Sequence, residues 1–68
     1  MDKLVTAISD HQKKRQLNDA DVAAKLGISR IGWIYIRTGQ RKAGIKFIKG
    51  VAKNFPELTA LLLTELGQ

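Results

Sequence analysis

The amino-acid sequence predicts an all-α domain, a bundle of four to five short helices, on three observations. Apolar residues recur at three- and four-residue spacing along most of the chain. The runs they form are punctuated by residues that start or stop helices: Asn18 and Ser29 before, Gly27 and Gly39 after, and Pro56 between the last two. Cysteine is absent and histidine occurs once, so neither a disulfide nor a thiolate or His-based zinc site stands in for a packed core. The 68 residues amount to one domain, 1–68, whose stability must come from helix packing, or partly from a second subunit.

The first helix is expected from about Asp2 to Arg15. Leu4, Ile8 and His11 recur at helical spacing with Val5 beside them, and His11 reads as a half-buried packing residue. Asp2 near the start and Lys13, Lys14 and Arg15 near the end suit the helix dipole. The second helix spans Asp19 to Leu26. Asn18 is a good N-cap, and Asp21 three residues later can reach back as in a capping box. Val22, Ala23 and Leu26 form its apolar face. Gly27 supplies a left-handed stop and Ile28 the apolar contact that accompanies one.

The third helix opens on Ser29, runs to about Arg37 and is ended by Thr38-Gly39. Ile31, Trp33, Ile34, Tyr35 and Ile36 all favour strands. A lone strand has no partner in an otherwise helical chain, however, and Trp33 with Ile36 makes an inward i, i+3 stripe while Arg30 and Ile34 share another face. Gly32 is expected to admit a neighbouring helix, at about 1 kcal/mol of helix propensity. In the fourth helix, Ile45 to Asn54, the core side is read as Ile45, Ile48, Val51, Ala52 and Phe55, with Lys46, Lys49 and Lys53 together on another side. Pro56 drives Phe55 out of the helical region and suits the first turn of a fifth helix, with Glu57 beside it. That helix puts Leu58, Leu61, Leu62 and Leu66 on one face and leaves Leu63 pointing away.

The formal net charge is +6 and the pI about 10.1. Its distribution is more informative than its sum. From Val22 to Pro56 there is no acid, while Lys25, Arg30, Arg37, Arg41, Lys42, Lys46, Lys49 and Lys53 all fall there. A one-signed field of this kind attracts a polyanion such as nucleic acid.

Leu17-Asn18-Asp19-Ala20-Asp21-Val22-Ala23-Ala24-Lys25-Leu26-Gly27-Ile28-Ser29, followed by Trp33, Ile36 and Gly39, resembles the helix-turn-helix of the phage Cro and lambda-repressor family. The likeness extends more weakly through Ile45, Ile48, Val51, Ala52 and Phe55. It implies a compact lambda-repressor-like bundle in which Ala23 packs against the recognition helix, Gly27 makes the turn, and the helix from about Arg30 to Arg37 enters the major groove of double-stranded DNA. The family's base-contacting positions fall on Arg30, Ile31 and Tyr35, and the arc opposite Trp33 and Ile36 adds Ile34. Arg30 has the fork to meet guanine, and the isoleucines can meet the thymine methyl. The implied phosphate contacts are Asn18, Asp19 and Ser29 at the helix starts, Arg37, Thr38, Gln40, Arg41 and Lys42 after the recognition helix, and Lys46. The sequence departs from the family at Arg37-Thr38, where Glu-Asn is common, at Gln12, where an Arg often pairs with that Glu, and at Ala43, where Pro is common. With both partners of that pair missing, Arg37 is expected to be free for phosphate.

The implied role is a small transcriptional regulator. The other reading is a protein-interaction module, antitoxin-like or adaptor, on the same scaffold, because Ile31, Ile34 and Tyr35 make the outer face unusually apolar. An enzyme is not expected. Ser9, Asp10 and His11 name triad residue types, but adjacent helical residues splay about 100° apart and cannot line up. No metal cluster or cofactor motif is present, and no small-molecule effector is implied. The longest apolar stretch, around Leu61-Leu62-Leu63, is too short for a bilayer. No apolar targeting region follows Met1 to Val5, so a cytoplasmic location is expected. A weak homodimer through the outer side of the fifth helix, at Leu63, completes the expected partners.

Overall fold

In the computed structural model, which describes residues 2–67, the chain forms α1 (Asp2–Lys14), α2 (Asp19–Leu26), α3 (Arg30–Arg37), α4 (Ile45–Asn54), a single 3-10 turn (Pro56–Leu58) and α5 (Thr59–Leu66). Described residues outside the helices are turns and loops, so the strand-favouring run in α3 is helical. The bundle is 29 × 23 × 17 Å in its Cα extents.

Local chemistry accounts for the helix ends. The Asn18 side chain accepts from the Asp21 N–H at 2.8 Å and the Asp21 carboxylate accepts from the Asn18 N–H at 3.1 Å, a complete capping box. Ser29 Oγ accepts from the Gly32 N–H at 3.0 Å and opens α3. Three helices stop the same way. Gly27 (φ 71°) ends α2 with Gly27 N–H on Ala24 and Ile28 N–H on Ala23. Gly39 (φ 80°) ends α3 with its own N–H on Ile36 and that of Gln40 on Tyr35. Both are Schellman motifs. The same pair of bonds ends α1, Gln16 to Lys13 and Leu17 to Gln12, but the left-handed residue is Gln16 (φ 56°), which carries a Cβ penalty that glycine avoids. α1 therefore stops at Lys14, one residue short of the expected Arg15.

The core gathers Leu4 and Ile8 of α1, Val22, Ala23 and Leu26 of α2, Trp33 and Ile36 of α3, Phe47 and Val51 of α4, then Phe55 and Leu62. α2 packs on both α3 and α4, while α5 closes over α1 and α4. Trp33 and Phe47 lie nearly parallel with ring centroids 6.4 Å apart, joining α3 to α4. His11 is half-buried and meets Phe55 edge-on at 5.5 Å, as its spacing suggested; its Nε2 is buried without a hydrogen-bond partner. A Glu65 carboxylate oxygen accepts from the Leu4 N–H at 3.1 Å, so α5 caps the first turn of α1.

Three packing expectations are corrected. The inward arc of α4 is centred on Phe47, Gly50, Val51 and Phe55, while Ile45 is 71% exposed and Ala52 is exposed. Phe47, Val51 and Phe55 stand at i, i+4 and i+8, and burying the Phe47 ring beside the expected Val51 and Phe55 outweighs burying Ile45 and Ala52. In α5, Leu62 is buried and Leu58 and Leu61 half-buried, but Leu66 is 51% exposed at the helix end. Finally, Gly32 is not the point of helix–helix approach. A Cβ there would meet Ser29 Oγ at 3.0 Å and an Arg41 nitrogen at 3.9 Å. The close approach is at Gly50, where a Cβ would fall on the Leu26 backbone.

Candidate functional site

α3 sits at one side of the bundle with Trp33 and Ile36 turned into the core. This inward stripe determines the outward one. Arg30 is exposed and Ile31 is 50% exposed, at the start of the helix. Ile34 and Tyr35 lie on the same outer arc but are half-buried. The Arg41 guanidinium carbon stands 5.4 Å from the Tyr35 ring centre, a cation–π contact that holds the following loop against α3.

The segment from Thr38 to Gly44 leads from α3 to α4 and is anchored at its start. Gln40 and Arg41 both donate backbone N–H to the Tyr35 carbonyl, Thr38 Oγ1 donates to the Ile34 carbonyl, and the Gln40 amide donates to Thr38 Oγ1. Arg41 and Lys42 are exposed on this anchored backbone, and Lys46 is exposed in the first turn of α4. A cleft of about 560 Å³ lies between the α2–α3 turn and the start of α4, lined by Ser29, Gly32, Arg41, Lys42 and Lys46 among others. Gly44 caps α4 with extended backbone and no side-chain hydrogen bond, leaving first-turn amides of that helix facing outward without a side-chain cap. A second cleft, also about 560 Å³, lies on the other side of the same loop toward Asp2 and Val5. Arg30, Arg41, Lys42 and Lys46 are thus exposed cations, and Ile31 is an exposed apolar side chain next to Arg30 in the chain.

The other end of α3 is different. Arg37 is not free, contrary to the sequence expectation. Its Nη2 donates to Asp19 Oδ2 at 3.1 Å. Gln12, which has no charge to offer, organises this end through its amide. Oε1 accepts from the Trp33 indole N–H at 3.0 Å and Nε2 donates to Asp19 Oδ1 at 3.0 Å. Because the indole can only donate, it fixes which way the amide faces. The Gln12 hydrogen bond, the largest effect, holds the Asp19 carboxyl below its ordinary value; burial, second in size, opposes it, and the hydrogen bond and charge of Arg37 and the charge of Arg30 lower it further.

Of the residues singled out in the sequence, Arg30, Ile31, Arg41, Lys42 and Lys46 are exposed, and the last three line one cleft. Ser29 lies beside it with its hydroxyl oxygen occupied by the cap, and Thr38 and Gln40 brace the loop. The Asn18 side-chain oxygen is engaged in the capping box, which leaves its amide nitrogen as a donor at the start of α2, whereas Asp19 is a carboxylate held in the Gln12–Arg37 network and has no donor to offer an anion. Sequence reasoning missed the bond from Gln12 to Trp33, 21 residues away, and had only its single-residue departure from a family pattern as a clue. Among the described residues no helix is long and apolar enough to cross a membrane. Comparisons with protein-family models, with curated proteins and with solved structures gave no match.

Proposed function

We propose that this protein is a helix-turn-helix domain that binds double-stranded DNA in a sequence-specific way, as a small cytoplasmic transcriptional regulator of the Cro and lambda-repressor type. The observation that carries the reading is the set of exposed cations from Arg30 at the start of α3 to Arg41, Lys42 and Lys46, in a stretch of sequence, Val22 to Pro56, that holds no acid. An α-helix fits the B-DNA major groove, and α3 has its first two residues exposed. In this reading α2 crosses the backbone, Arg30 reads a base edge, Ile31 meets a thymine methyl, Ile34 and Tyr35 flank them, and Arg41, Lys42 and Lys46 contact phosphates. A weak homodimer formed on paired half-sites supplies discrimination that one short helix lacks.

Fluorescence anisotropy with a random duplex at several salt concentrations tests the proposal. Binding weakens with salt, with log K falling by about 0.9 per log unit of salt for each phosphate neutralised. Replacing Arg41 and Lys42 by Ala weakens binding to all sequences and flattens that slope. Arg30→Ala costs about 1–3 kcal/mol on a site selected from a random library and relaxes choice at one base pair. The apolar exposure of Ile31 and Ile45 favours a second reading, a protein-interaction module. A chain that binds no duplex even at low salt belongs to that class.

A further inference from the structure

The acid at the start of α2 lies where a cation would serve DNA binding better. Asp19 is not needed as a cap, since Asn18 and Asp21 already satisfy each other and the helix end. Both its oxygens are directed instead at Gln12 and at Arg37, the last residue of α3. The pair is open to solvent, with the Arg37 side chain 34% and that of Asp19 20% exposed. It lines a cleft of about 500 Å³ together with Ser9, Gln12, Lys13 and Leu17. A phosphate could therefore reach Arg37 if nothing else held it. Gln12 keeps the carboxylate in place, because its own amide is pinned by the Trp33 indole.

We infer that Asp19 limits the protein's affinity for DNA of any sequence by keeping the Arg37 guanidinium from the phosphate backbone. The inference rests on the DNA-binding reading and deepens it. With α2 crossing the backbone, the strand passes the start of that helix and meets a neutralised ion pair there, while among the described residues no ion pair holds Arg41, Lys42 or Lys46, the first two sharing a cleft with Asp2. A phosphate competing for Arg37 has to displace a carboxylate that is ionised throughout the neutral range. Binding strength then depends more on how α3 meets the bases and less on charge alone, which makes Asp19 a specificity-determining residue. The cost of the arrangement is one phosphate contact, the same size as the contribution of a single lysine elsewhere on the surface.

Salt-dependent titrations of a random duplex test this with three variants. Asp19→Asn retains an oxygen that can accept from Gln12 and removes the charge. It steepens the slope of log K against log salt by about 0.9, so that its advantage over wild type is about 3.5-fold larger at 50 mM than at 200 mM salt. Arg37→Ala in the wild-type background leaves the slope unchanged, because that cation was not engaged, and Asp19→Asn with Arg37→Ala returns it to the wild-type value. A purely structural role for Asp19 would not make the gain depend on Arg37. An unchanged slope in Asp19→Asn, a gain that survives in the double variant, or a shallower slope in Arg37→Ala alone overturns the inference while leaving DNA binding intact. A wild type with no affinity for any duplex overturns both. Circular dichroism of each variant establishes that the comparison is between folded chains, and Asp19→Ala, which removes the same charge, supplies the slope with and without Arg37→Ala should Asp19→Asn unfold.

Discussion

Gly50→Ala is the substitution for which the structure and helix propensity disagree most sharply. Propensity alone favours alanine in the middle of α4 by about 1 kcal/mol. The packing opposes it. A Cβ at position 50 would fall on the Leu26 carbonyl group, within 2.6 Å of its carbon and 2.7 Å of the Leu26 Cα, where ordinary contact begins at 3.4 Å. The atoms in the way are backbone at the end of α2, which cannot rotate aside like a flexible side chain. Relief requires α4 to back away from α2 by more than about an ångström, because the carbonyl oxygen is nearer still. That movement loosens Val22, Leu26, Phe47 and Val51, all fully or almost fully buried around the contact. Overpacking of this kind costs about 1–3 kcal/mol and lies at or beyond the upper end where backbone is struck. After the propensity gain the expected net loss is about 2 kcal/mol, or roughly 8–16 °C in Tm for a domain this small. Thermal and urea unfolding followed by circular dichroism measure it. Gly44→Ser is the control, since nothing lies within 4 Å of a Cβ there and a hydroxyl at that cap should add only a few tenths of a kcal/mol. A Gly50→Ala protein as stable as wild type, or more so, would refute the assignment of Gly50 as the α2–α4 contact.

Gln16→Gly should raise stability by about 0.5–1 kcal/mol, read as a higher Tm, because it removes a left-handed strain at an exposed position whose side chain makes no hydrogen bond among those described. Acid unfolding should reveal Asp19. Its folded-state pKa is depressed from 3.8, so its stabilisation is present above that value and is lost as pH falls through the lower folded one. The stability gap between wild type and Asp19→Asn should therefore narrow on acidification below about pH 4; a gap independent of pH would count against the Gln12–Asp19–Arg37 network. Leu63→Glu should leave thermal stability nearly unchanged, as this side chain is 65% exposed. It should reduce cooperative binding to a duplex with two half-sites while sparing a single half-site. Half-sites one turn apart are about 34 Å between centres, beyond the 29 Å long extent of the bundle, so the copies meet only at an edge. Equal loss on both duplexes, or on neither, would dismiss Leu63 as a dimer contact.

The all-helical class and the limits of α2, α3 and α4 were legible in the residues because capping is local. Asn18 with Asp21, Ser29 with Gly32, and Gly27 with the carbonyls before it act within one turn, and one turn of sequence contains all the participants. The inward stripes of α1 and α2 were legible for a similar reason, since Leu4, Ile8, Val22 and Leu26 have few apolar competitors on other faces. Where a helix is apolar on several sides, periodicity alone allows more than one rotation. With Val51 and Phe55 inward, α4 could have added Ile45 and Ala52 or Phe47, and the stacking of Phe47 on Trp33 goes with the second. Likewise Arg37 read as a free cation and Gln12 as a lost partner, because neither residue's neighbours in sequence include Asp19. The fold brings α1, the start of α2 and the end of α3 together, and hydrogen bonds spanning 7, 18 and 21 residues then determine which charges are spent and which stay exposed. Gly50 makes the same point for packing: its missing Cβ has no consequence within α4 and acquires one only when the Leu26 carbonyl is laid against it.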